Sequence, residues 1–132
     1  MGTRLASEQV FELPATAAAA GMARRELAAT GGVAGELAYK ALLMTSELIA
    51  VYVADAEPAP DKTLRFSIRV TPERVRVEVR GRAPQVSPDA LLHARDAPSL
   101  GGYGLQIVDK MADAWGVEGS RDTTLWFELL RS

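Results

Sequence analysis

Residues 64–81 read "LRFSIRVTPERVRVEVRG", and this stretch decides the architecture. Leu64, Phe66, Ile68 and Val70 fall at every second position, as do Val75, Val77 and Val79, and most residues between them are charged. A period of two belongs to strands with one face in a core and the other in water. "TPER" between the two runs supplies the turn, so the stretch predicts an antiparallel hairpin with an apolar face that must be covered.

Working outward, "QVFELP" before it reads as a short strand with Phe11 and Leu13 in one phase, closed by Pro14. A helix is expected from Thr16 as N-cap, through "AAAAGMARRELAA", to a stop at Gly31 and Gly32. A longer helix is expected over about Gly35 to Ala54, with Leu37, Ala41, Leu48 and Tyr52 along one side, and Pro58 and Pro60 ending any continuation. Beyond the hairpin, residues 83–100 are polar and proline-bearing and read as a lid, with Ser87 and Pro88 opening a short helix inside it. A helix from Gly104 carries Leu105, Val108, Met111, Ala112 and Trp115 on one face. "WGVEG" with "TTLWFELL" then forms a second hairpin in which Leu125, Phe127 and Leu129 share a phase.

That order predicts a two-layer α/β (α+β) sandwich, a mixed, mostly antiparallel sheet covered on one face by helices. Its other face would show Arg65, Arg69, Arg76, Arg80, Glu78, Trp126 and Glu128. A chain of 132 residues, 48% hydrophobic, suits one domain over 1–132, with 1–8 flexible. The absence of cysteine removes disulfides, a thiol nucleophile and any Cys/His zinc site. The start has no apolar signal region, Ala6 stands where a myristoylation signal needs Ser or Thr, and the apolar run Ala15 to Ala20 is far short of a membrane span. A soluble, cytoplasmic protein with no membrane partner is expected. A net charge of −2 gives no general attraction to nucleic acid, so none is expected as a direct partner.

Three stretches, "LLMTSELIAVYVADA", "VRVEVRGRAP" and "GGYGLQIVDKMADAWGVE", come in an order that resembles the histidine-kinase, gyrase, heat-shock-chaperone and MutL ATPase superfamily, and within it the small bacterial anti-sigma-factor serine kinases. The likeness runs from about Val10 to Leu130. It implies the histidine-kinase-like ATPase fold and an ATP–Mg²⁺ site built from three motifs. In the long helix the family places a Glu that polarises the attacking group and, one turn on, an Asn that holds Mg²⁺. Here Glu47 is kept, but Val51 stands at the Asn position and has no oxygen for a hard cation. Beside Val51, Glu47 reads more simply as a solvated helix carboxylate, catalytic only if the chain is an active kinase. The family's adenine-reading Asp falls at Gly81, in phase with Val75, Val77 and Val79, and its following glycine falls at Ala83. The phosphate loop survives as Gly101, Gly102 and Gly104 before Leu105, and Thr124 remains of a later Gly-Thr element.

The resemblance thus implies a regulatory protein-interaction module, a pseudo-ATPase with impaired or absent ATP binding, requiring no cofactor and no metal. The alternative is an active serine/threonine kinase using ATP and Mg²⁺ through Glu47. Nucleotide-site residues, in use or vestigial, are Glu47, Gly81, Gly101, Gly102, Gly104, Leu105 and Thr124. A sigma factor, an anti-sigma antagonist or a transcription regulator is the expected partner, with a homodimer also allowed. Arg65, Arg69, Arg76 and Trp126 form the expected partner surface, since Trp and Arg are enriched in binding hot spots. His93, the only histidine, reads as a solvated residue of the lid. Substituting Val51→Asn with Gly81→Asp is expected to restore ATP binding.

Overall fold

The computed structural model describes residues 7–54, 62–82, 105–119 and 122–131. In chain order these form β1 (Ser7–Pro14), α1 (Ala19–Ala28), α2 (Gly35–Ala54), β2 (Thr63–Val70), β3 (Arg74–Gly81), α3 (Gln106–Met111), β4 (Ala114–Glu118) and β5 (Thr123–Leu130). The strands make one five-stranded sheet in the order β1-β2-β3-β5-β4. The expected α+β sandwich is present, and every strand pairing among the described residues is antiparallel rather than mixed.

The alternation in residues 64–81 appears as predicted. Leu64, Phe66, Ile68, Val70, Val75, Val77 and Val79 are buried, and Phe66 opposes Val79 while Ile68 opposes Val77. The turn is tied by Thr71, whose Oγ1 accepts from the backbone N–H groups of Glu73 at 3.3 Å and Arg74 at 3.1 Å. A threonine hydroxyl that satisfies turn donors in this way fixes the register of the hairpin. Leu125, Phe127 and Leu129 of β5 extend the same apolar face. Burying each of these large side chains contributes about 1.5–3 kcal/mol.

Helix α2 lies over that face. From Met44 to Ile49 six consecutive residues are buried, which is more than a full helical turn. A helix buried all the way round has neighbours on every side, here the sheet, α1 and α3. Small side chains on α1, Ala19, Ala20 and Ala23, are buried in the core, and Arg24 Nη1 donates to Ser46 Oγ across the α1–α2 pair at 3.0 Å.

Four boundaries differ from the sequence reading. β1 begins at Ser7, so Ser7 and Glu8, expected to be flexible, pair with Val70 and Arg69. Thr16 does not cap α1; its Oγ1 accepts from Ala18 N–H at 3.3 Å in the turn before the helix. α1 also stops at Ala28, short of Gly31 and of Gly32, which adopts φ +89°. Helix α3 ends at Met111 because the strand ladder claims the next residues: Asp113 N–H donates to Glu128 O at 2.9 Å, and Ala112 is already extended. Trp115 consequently belongs to β4, opposite Phe127, and its Nε1 donates to Asp109 Oδ1 at 3.0 Å. The lid at 83–100, with Ala83, Ser87, Pro88 and His93, lies outside the described residues, as do residues 1–6.

Candidate functional site

Gly81 is the last residue of β3 and faces the helices, where strand parity places it. The space its side chain would take is filled. A Cβ built there would lie 2.6 Å from Leu64 Cδ2 and 3.2 Å from Tyr52 Cδ1, and the first distance is closer than non-bonded carbons approach. Tyr52 comes from the C-terminal part of α2, one turn beyond Leu48, and both are buried. Its hydroxyl reaches between two strands, sharing its hydrogen between Val79 O at 2.7 Å and Thr123 O at 2.5 Å. Burial pushes the Tyr52 phenol far above its ordinary value of 10.0; a backbone hydrogen bond from Leu125 acts in the opposite direction, and the nearby charge of Asp122 adds to the rise. The phenol is therefore neutral throughout the physiological range.

Opposite Gly81 in the β3–β5 register stands Thr123. It is 4% exposed, and its Oγ1 has no hydrogen-bond partner among the described residues. Thr124, the threonine singled out from the sequence, points to the other face with Trp126. The inward residue is Thr123, which the phase of Leu125, Phe127 and Leu129 already implies when counted back by two. Tyr52 and Leu64 are the other residues of this corner that the motifs missed. Periodicity marked both as core, yet nothing in the sequence says that they meet Gly81.

One turn from this corner, Glu47 is fully buried. The expected solvated carboxylate is corrected by its place in the segment of α2 that is covered on every side. Val51, four residues on, is half-buried and packed against the core. It offers no oxygen, and among the described residues no group of three His, Cys, Asp or Glu side chains is arranged to hold a metal ion. Leu105 is buried just before α3. Gly101, Gly102 and Gly104 lie outside the described residues.

The model of the histidine kinase-like ATPase domain matches residues 12–129. The chain belongs to the histidine kinase-like ATPase domain family. No curated protein matches it in sequence. The antiparallel sheet with helices on one face is consistent with such a domain. No helix among the described residues is long and apolar enough to cross a membrane.

The second candidate region is the opposite face of the sheet. Its residues form rows across the strands: Glu8, Arg69, Arg76 and Glu128 in one, Val10, Ser67, Glu78 and Trp126 in the next, and Glu12, Arg65, Arg80 and Thr124 in the third. The four residues expected to form a partner surface divide into two kinds. Arg76 is held inside the face, with Nε 2.7 Å from Glu78, Nη1 2.8 Å from Glu128 and the guanidinium carbon 4.1 Å above the Trp126 ring. Burial works against its charge, but the two carboxylates outweigh this and hold its pKa above the ordinary value. Trp126 itself is half-buried over Gly116, where an added Cβ would sit 3.0 Å from the indole. Arg65 and Arg69 are exposed. Arg65 is 3.7 Å from Glu12, and Arg69 has no ion pair among the described residues.

Proposed function

We propose that this histidine kinase-like domain is a pseudo-ATPase that acts as a protein-interaction module, a degenerate relative of the anti-sigma-factor serine kinases in a bacterial regulatory circuit. One observation carries the reading: the place of the adenine-reading carboxylate is a glycine whose side-chain space is taken by Tyr52 and Leu64. Val51 supports it, because a valine one turn beyond Glu47 cannot ligate Mg²⁺. A purine amino group brought to this corner without a carboxylate acceptor would forfeit about 1–3 kcal/mol. On this reading the domain needs no nucleotide or metal cofactor. Its partner is a cytoplasmic protein, a sigma factor, an anti-sigma antagonist or a transcription regulator, and a second copy of the chain is the competing occupant. The partner surface is the outer sheet face, with Arg65 and Arg69 exposed to make contacts and Arg76 and Trp126 setting its shape.

The decisive test is thermal unfolding with ATP and Mg²⁺. A ligand at 100 times its Kd stabilises by about 2.7 kcal/mol, roughly 10 °C for a domain of this size. The expected result is no shift. A clear Mg²⁺-dependent rise would favour the alternative, an active serine/threonine kinase, for which the retained Glu47 is the supporting residue. Sedimentation of the wild type against Arg65→Ala with Arg69→Ala tests the surface, and equal association of the two proteins would remove these arginines from the interface.

A further inference from the structure

Tyr52 makes an unusual set of contacts for a core aromatic. Its ring lies against the bare backbone of Gly81, and its hydroxyl meets two main-chain carbonyls, Val79 O on β3 and Thr123 O on β5. Beside the second carbonyl, the Thr123 hydroxyl is nine-tenths buried and has no hydrogen-bond partner among the described residues. These features describe a slot: a flat apolar wall where Gly81 has no side chain, and at its end two acceptors, the backbone N–H of Leu125 and one unused hydroxyl. Buried carbonyls and hydroxyls are costly to leave unpaired, so a slot of this kind selects an occupant with a donor at its tip.

We infer that Tyr52 is a built-in ligand: its side chain fills a slot made for a planar aromatic ring carrying one O–H or N–H donor, and truncating it opens a binding site for small phenols and aryl amines. The inference rests on the pseudo-ATPase reading only in identifying this slot with the place of the nucleotide base. The slot itself stands on the contacts of Tyr52, Gly81 and Thr123. Regaining a ligand here therefore begins with removal of Tyr52. Placing a carboxylate at Gly81 instead drives a side chain into Leu64. The surrounding sheet holds the slot open, because Val79 and Thr123 lie on adjacent, fully paired strands. Cavities lined by well-packed elements collapse only in part when a large side chain is cut back.

The test is Tyr52→Ala, unfolded thermally with p-cresol, which has the shape of the removed side chain, and with toluene, which has the shape but no donor. The p-cresol should raise the Tm of Tyr52→Ala and leave the wild type and Tyr52→Phe unchanged, with binding about tenfold tighter than that of toluene. If Tyr52→Ala does not hold its fold alone, recovery of its far-ultraviolet circular dichroism by p-cresol in preference to toluene is the same result read another way. Equal effects of p-cresol and toluene would overturn the donor requirement, and a variant indifferent to both, folded or unfolded, would overturn the slot. A rise in wild-type Tm with ATP and Mg²⁺ would instead refute the pseudo-ATPase reading and leave the p-cresol result to stand by itself.

Discussion

The two faces of one sheet have opposite characters, although they are made by alternate residues of the same strands. On the inner face Phe66, Val77, Val79 and Phe127 are fully buried beneath helices, and at its end Tyr52 and Leu64 fill the last opening beside Gly81. On the outer face the rows of Arg and Glu are stitched into ion pairs around a half-buried Trp126, while Val10 is 54% exposed beside them. On the proposed reading the base corner lies on the inner face, where Tyr52 and Leu64 take the space beside Gly81. The outer face retains charge, a tryptophan and exposed arginines, the kinds of group that protein interfaces use. On the proposed reading the closed corner takes no nucleotide, and the open surface takes the protein partner.

The sharpest way to break this contrast is Gly81→Asp. Overpacking against Leu64 and a carboxylate buried near the Val79 and Thr123 carbonyls should together cost more than about 3 kcal/mol, read by urea unfolding, with no ATP binding gained even alongside Val51→Asn. A stable double variant that binds ATP in calorimetric titration would show that the corner opens at little cost. On the outer face, Trp126→Ala should cost about 1–3 kcal/mol, less than a core aromatic, because the indole is half-buried and loses its packing on Gly116 and the Arg76 cation. A loss as large as that at Gly81 would mean that this face is core in all but name.

Tyr52→Phe keeps the ring and removes only the hydroxyl, and it should cost about 1 kcal/mol near pH 7 by leaving Val79 O and Thr123 O without this donor. The same variant tests the phenol's raised pKa. The folded protein holds the proton more tightly than the unfolded chain, so this contribution is fully present below the unfolded tyrosine's value of 10.0 and falls as pH rises above it. Above pH 10 the wild type should lose about 1.4 kcal/mol per pH unit more than Tyr52→Phe until the folded-state phenol ionises. Parallel stability curves for the two proteins would contradict the buried, neutral phenol. The smallest effect is expected at Arg65→Ala, within about 0.5 kcal/mol, since its pair with Glu12 is solvent-exposed at 3.7 Å.

Much of this is legible in the chain itself. The alternation in 64–81 and 125–129 places each side chain on its face, and the spacing in α2 marks Ala41, Leu48 and Tyr52 as buried. The oxygen-free Val51 and the side-chain-free Gly81 are statements about residue type, and the sequence determined them completely. Tertiary structure decided what those residues face. Glu47 looked solvated because one helix cannot reveal how many neighbours surround it, and it is buried because the sheet, α1 and α3 meet around that turn. Trp115 had both a helical and a strand reading, and the ladder to Phe127 chose the strand. The contact of Tyr52 with Gly81, and the reach of its hydroxyl to Thr123 across 71 positions, had no trace in local pattern. Periodicity records which side of an element is apolar, whereas the partner across a core is selected only when all elements pack together and the shapes of distant side chains must fill one space.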